Sequence, residues 1–388
     1  MPHRVIRAAG LGACLLVLPA AAVDVSAQIM ISANDGKGVL VNGVNTVPDK
    51  PIADNVTIYD LGVTPPKLLA EINMPTSLVG PPSSVAISAD KSFALVSAAT
   101  KIDPADPKKV VADNKLSVID LKATPPAVIA SLEAGSGPSG VAINKTGTLA
   151  LVANRQDGTV SVYTIAGNKL TAAGTVKLGD AKSGPSAVAF TPDGKSALVT
   201  RDGDHKISVL TIDRTKVEAS KRELHAGLKP YPLSVGSKGD YAVISNVGMG
   251  GGDSDTVSLI DLKANPPRVV DTVAVGPTPE TVTMAPDGRH VAVNVMNGTN
   301  KPSDSPFFRP NGVLAIYAIR NGKLAKVTET KVGRWCQGIG WRKDSKLVLN
   351  QCMVENEIQM FGFDGKRLKA AGAIKVKGGP GGLGVSQD

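Results

Sequence analysis

"GPSGVAINKTGTLALVANRQDGTVSVYTI", Gly137 to Ile165, contains three short runs in which apolar residues alternate with small or polar ones. The turn "NKTG" and the loop "NRQDG" separate them. Alternation with a period of two marks half-buried strands, and clusters of Gly, Asn and Asp mark the connections between them. The same order recurs along the chain, beginning at Gly80, Gly184, Lys229, Gly276 and Arg334. Val85, Val141, Val188, Leu233, Val282 and Ile339 then fall in one column, spaced by 45 to 57 residues. A unit of this size holding four short strands, here called A to D, is the unit of a β-propeller blade.

Six complete units are visible, and the two ends supply the seventh. The chain closes on "GPGGLGVSQD", Gly379 to Asp388, which reads as a strand A: Leu383 aligns with Val85 and Val385 with Ile87. Near the other end, "QIMISAND" reads as strand B and "DNVTIYDL" as strand C. Pairing the ends closes the ring and leaves no open sheet edge. The expectation is an all-β, seven-bladed propeller over residues 28–388.

The pieces "ALVANRQDGTVSVYTI", "ALVTRDGDHKISVLTI" and "AVISN…DTVSLIDL", with the "PDG" turns at Pro192-Asp193-Gly194 and Pro286-Asp287-Gly288, resemble the YVTN-type, lactonase-like β-propeller repeat family. The resemblance covers residues 28–388. It implies the propeller fold. Its relatives include lactonase-like enzymes and extracytoplasmic binding proteins, so function has to come from the site.

Residues 1–27 read as a secretory leader: a basic start at His3, Arg4 and Arg7, an apolar run from Ala8 to Val23, and the small residues Val25-Ser26-Ala27 before the expected cleavage point. The apolar run is short for a membrane span. The protein is therefore expected in the periplasm or secreted, without a membrane span and as a monomer. The two cysteines beyond the leader, Cys336 and Cys352, lie eight residues to either side of Asp344 on a predicted A–B hairpin. In an exported chain that placement predicts a disulfide.

The net charge is +9, yet no basic run reaches five residues, and aromatic residues make up only 3% of the chain. Stacking platforms for single-stranded nucleic acid or sugars are therefore scarce. Strand direction alternates within a blade, so A–B and C–D turns share one face, and B–C loops and D–A links share the other. The second face carries the long connections, residues 35–55, 99–114, 247–255 and 296–311. Long loops on a rigid scaffold are where binding sits.

On this loop face Asn154, Arg155, Arg201, Tyr231, Phe307, Phe308, Arg309 and Trp335 are candidate binding residues. The weaker catalytic candidates are His205, Glu280, Arg201 and Arg334: an Arg could hold a carboxylate, and Glu or His could activate water. Asp202, Asp204, Asp253 and Asp255 are weak metal candidates in loops that do not match a calcium-binding pattern. No nucleotide, haem or nucleophile-elbow motif is present, and no cofactor is expected. The leading expectation is a non-catalytic scaffold that binds a protein or an anionic small molecule at this face. The alternatives are a lactonase-type hydrolase acting at the channel mouth and a basic surface for nucleic acid.

Overall fold

The computed structural model describes residues 28–387, so the leader expectation lies outside the described residues. Seven four-stranded antiparallel sheets form the blades. Six follow chain order, each laid out A to D from the axis outward. Blade 1 runs from Val85–Ile87 to Ala127–Glu133, blade 2 from Pro138–Ile143 to Lys169–Lys177, and blade 3 from Pro185–Phe190 to Lys216–Leu224. Blade 4 runs from Pro230–Val235 to Arg268–Gly276, blade 5 from Pro279–Met284 to Lys323–Val332, and blade 6 from Cys336–Trp341 to Leu368–Lys375.

Blade 7 joins the two ends. Its strand A is Gly379–Val385, and its strands B, C and D are Ile29–Asp35, Asn55–Asp60 and Lys67–Asn73. Met30 faces Val385 and Ser32 faces Leu383 across the closing ladder. Every residue of Ile29–Asp35 is buried. Side chains reinforce the seam: Ser386 Oγ accepts from Ile29 N at 3.0 Å, and Gln28 Nε2 donates to Ser386 O at 3.1 Å and to Trp341 O at 3.3 Å.

The core lies between blades. Seven apolar clusters of described residues each join two neighbouring blades; Ile31, Ile58, Val96 and Ile119, for example, join blades 7 and 1. The alternating strands thus bury both faces, one against each neighbour. Near the axis the strands crowd. A Cβ at Gly140 would stand 2.6 Å from Ala187 Cα, and one at Gly384 would stand 2.6 Å from Val85 Cγ1. Only glycine fits such close approaches between strands.

Strand A opens on a proline in blades 2 to 5, and in blade 7 Pro380 is its second residue. Each sits opposite the last residues of strand B, as Pro138 does with Asn154 and Pro230 with Asn246, and the register shifts beside it. Proline offers no N–H to a ladder, so it suits the ragged start of a strand. In blade 6 Cys336 takes this place opposite Cys352, and the two form the expected disulfide. A covalent bond therefore holds the corner that proline stiffens elsewhere.

Two outcomes follow. Removing residues 379–388 leaves Ile29–Asp35 as a bare apolar edge; the expected result is aggregation and loss of a cooperative thermal transition, read by calorimetry and light scattering. Replacing both cysteines by alanine should lower stability by about 3 kcal/mol, the closure entropy of a loop of this length, read from the urea midpoint.

Candidate functional site

Four of the loop-face connections interlock over the channel mouth. From blade 7 the hairpin Val39–Val41 and Val44–Thr46 reaches out, and at its tip Asn42 Oδ1 accepts from Ser303 N at 2.9 Å, in the 296–311 loop of blade 5. Lys301 Nζ of that loop donates to Gly250 O of blade 4 at 2.5 Å. A Cβ at Gly252 would stand 2.5 Å from the Phe307 ring, so Phe307 rests on that glycine. An ion pair between Lys108 and Asp49 ties the blade 1 loop to the blade 7 loop. The mouth is thus roofed from blades 7, 1, 4 and 5, while the short loops of blades 2 and 3 leave it accessible.

At that open side lies a cleft of about 260 Å³, lined by Thr100, Ser139, Arg155, Lys182 and Asp202 among others. It shares Val79 and Thr100 with a larger cavity of about 470 Å³ under the hairpin, which Asn45, Thr46 and Lys108 help to line. Arg155 is central. One terminal nitrogen pairs with Asp202 Oδ2 at 2.5 Å, and its guanidinium carbon stands 5.4 Å from the centre of the Tyr231 ring. Asp202 is fixed in turn by Ser186 Oγ, which donates to its other oxygen at 2.5 Å.

Glu280 lies within electrostatic reach of Arg155. It is the second residue of strand A in blade 5, only 6% exposed, and has no hydrogen-bond partner among the described residues. Burial pushes its carboxyl up to about 8; Arg155 pulls the other way and Asp202 adds to the rise. Burial likewise raises the Tyr231 phenol above its ordinary range. For Arg155 burial opposes the charge, but the facing Tyr231, Asp202 and Glu280 outweigh it and raise the guanidinium further. The result is a fixed cation beside a carboxyl poised near neutrality.

Sequence spacing separates the candidates less well than the fold does. Arg155, Tyr231 and Glu280 converge; Asn154 and Arg201 do not join them. Asn154 Nδ2 bonds Thr159 Oγ1 at 3.0 Å and Ser161 Oγ at 2.9 Å, inside its own blade. Arg201 turns outward to Ser208 Oγ at 3.1 Å and Glu223 at 2.8 Å, and pairs with Asp204. His205 Nδ1 accepts from Lys229 N at 3.2 Å.

On the blade 6 rim, Arg334 pairs with Glu355 at 3.1 Å, and Trp335 N donates to Thr299 Oγ1 at 3.0 Å. Arg309 folds back on the carbonyls of Pro306 and Phe308. Asp255 accepts from Thr278 N, and Asp253 is exposed on the same loop. Among the described residues no three His, Cys, Asp or Glu side chains gather as metal ligands. Sequence reasoning missed Ser139 and Ser186. They share with Tyr231 and Glu280 the position two before the aligned apolar column, and that shared position was the available signal.

Fold and site together define a seven-bladed propeller with a charged mouth open on one side. The family described as "Lactonase, 7-bladed beta-propeller" matches residues 111–284, a stretch that contains Arg155, Asp202, Tyr231 and Glu280. The resemblance to lactonase-like propellers expected from the repeats is thereby shown. No curated protein matches the chain. Among solved structures it is similar to a Bacteroides uniformis protein provisionally called a 6-phosphogluconolactonase, at 18% identity and a TM-score of 0.71, covering 92% of this chain and 99% of that one. It is also similar to the periplasmic gluconolactonase of Pseudomonas aeruginosa, at 15% identity and a TM-score of 0.68, covering 93% and 99%. At these identities the likeness to the solved structures is one of fold.

The raised pKa of Glu280 fixes the sign of one pH effect. Its proton is held more tightly folded (about 8) than unfolded (about 4.5), so its contribution to stability is greatest below about pH 4.5 and is lost as pH rises to about 8. Glu280→Gln should therefore be more stable than the parent at pH 8 by a few kcal/mol, because each tenfold difference in proton affinity is worth ~1.4 kcal/mol. Urea titrations at pH 5 and pH 8 check it: a variant whose advantage does not grow with pH rejects this account.

Proposed function

We propose that this protein is an exported lactone hydrolase whose reaction takes place at the channel mouth over blades 2 to 5. The observation that carries the reading is the electrostatic coupling of Arg155, which lines the cleft, to the buried Glu280, which has no hydrogen bond among the described residues. The lactonase family match across this stretch and the lactonase names of the structural neighbours support an enzyme over the non-catalytic scaffold expected first. The predicted leader and the disulfide between Cys336 and Cys352 support export.

A lactone ring opens when water adds to its carbonyl carbon and the ring oxygen leaves. Arg155 faces the carbonyl oxygen and stabilises the negative charge that develops there; Asp202 and the Tyr231 ring hold the guanidinium in place before substrate arrives. Glu280, once ionised, takes the proton from the attacking water and then returns it to the ring oxygen as that leaves. A base with a pKa near the working pH combines adequate ionised population with adequate basicity. Because Glu280 titrates near 8, kcat/KM should rise with pH and level off above that value.

The test is a panel of sugar and short-chain lactones assayed across pH. Glu280→Gln should lose roughly 100-fold or more in kcat and abolish the rise. Arg155→Met should lose a similar factor. Turnover that neither substitution affects, or no turnover of any lactone, rejects the proposal.

A further inference from the structure

The opposite face of the propeller concentrates positive charge. The A–B turns form a ring around the far end of the channel. A Cβ at Gly239 would stand 3.2 Å from Pro192, and one at Gly288 would stand 3.3 Å from the stem of Lys238. Asp287 N donates to Ser345 Oγ at 3.0 Å, and Lys343 N donates to Gln28 Oε1 at 2.9 Å. Blades 3 to 7 thus touch turn to turn. Lys145, Lys195, Lys238, Arg289 and Lys346 project from successive turns of this ring, all exposed and with no ion pair among the described residues.

Aspartates close these turns, and two of the acids on this face also pair with its cations, Asp240 with Lys263 at 2.5 Å and Asp344 with Arg342 at 2.7 Å. Asp193 Oδ1 accepts from Lys195 N at 3.0 Å, Asp287 Oδ1 from Arg289 N at 2.7 Å, and Asp344 Oδ1 from Lys346 N at 2.9 Å. The C–D turns repeat the pattern, with Asp261 accepting from Lys263 N and Asp364 from Lys366 N, although the Lys263 ammonium itself is paired with Asp240. An aspartate that closes a turn keeps its negative charge, so the positive character of this face rests on the excess of Lys and Arg over Asp in its connectors. Lys and Arg outnumber Asp and Glu in these connectors, whereas on the loop face the two signs nearly balance. The positive balance of the whole chain therefore resides on one side of the ring.

We propose that this turn face docks on a bilayer rich in anionic lipid, leaving the loop-face mouth turned to the solvent. A ring of short turns presents its cations in a plane, and a lipid surface is planar, so all of them engage together. A nucleic-acid duplex is a rod and would meet only one stripe of the ring. The face also lacks the aromatic platforms that bind single strands. This docking does not depend on the hydrolase reading, since it uses none of the same residues.

The experiment is co-sedimentation with vesicles of phosphatidylglycerol mixed with phosphatidylcholine, beside vesicles of phosphatidylcholine alone. Proteins beginning at Gln28, the first residue of the closed ring, keep the apolar leader from contributing. Binding to the mixed vesicles only, lost at high salt, is expected. Lys195→Glu/Lys238→Glu/Arg289→Glu should weaken it roughly tenfold or more. The charge-matched control Lys50→Glu/Lys177→Glu/Lys331→Glu, away from the ring, should bind as the parent does, and melting curves confirm that both variants fold. Equal loss in the two variants, no binding to mixed vesicles, or equal binding to both vesicle types overturns the proposal. So does capture of duplex DNA in place of vesicles.

Discussion

The closing ladder between Gly379–Val385 and Ile29–Asp35 is the constraint on which the rest depends. Each blade buries both faces against its neighbours and cannot do so alone, so the interblade clusters exist only if the ring is complete. Joining the ends inside one blade makes the last interface part of a hydrogen-bonded sheet rather than a contact between loose termini. The glycines of the terminal strand belong to the same constraint: at the axis, neighbouring strands come so close that side chains on both sides would collide.

That rigid ring lets the mouth hold an arrangement that opposes stability. Glu280 is buried without a hydrogen bond among the described residues, and its raised pKa reflects the cost of placing a charge there. Nearby, Arg155 keeps its charge because Asp202 and Tyr231 face it. Strain of this kind persists where surrounding structure over-determines it, and functional sites are where it collects. The strand A starts that carry Tyr231 and Glu280 are stiffened by Pro230 and Pro279, and the next one along by Cys336 and its disulfide.

The two faces divide the chemistry. Long loops from blades 7, 1, 4 and 5 interlock above the mouth and leave access over blades 2 and 3. On the other face, short Asp-closed turns of successive blades present lysines and arginines. The A–B and C–D turns are short because each has only to reverse the chain. Binding volume is left to the longer connections opposite.

Much of this was legible in the sequence because its signals are local. Alternation of apolar residues, the recurring turns, the complementary ends and the cysteines placed symmetrically about Asp344 each follow from spacing along the chain. The direction of each side chain at the mouth was not legible in that way. Asn154 ends its strand and braces its own blade, whereas Arg155 opens the turn that follows, where the chain leaves the ladder and the side chain reaches Asp202 of the next blade. Arg201 shares the column of Asn154 and turns outward with it, although its charge alone suggested the site. Glu280 and Tyr231 come from different blades, and their burial beside Arg155 is a property of ring closure. Local pattern determined the blades and their order; which charges meet at the axis, and how far water is excluded from them, only the tertiary structure decided.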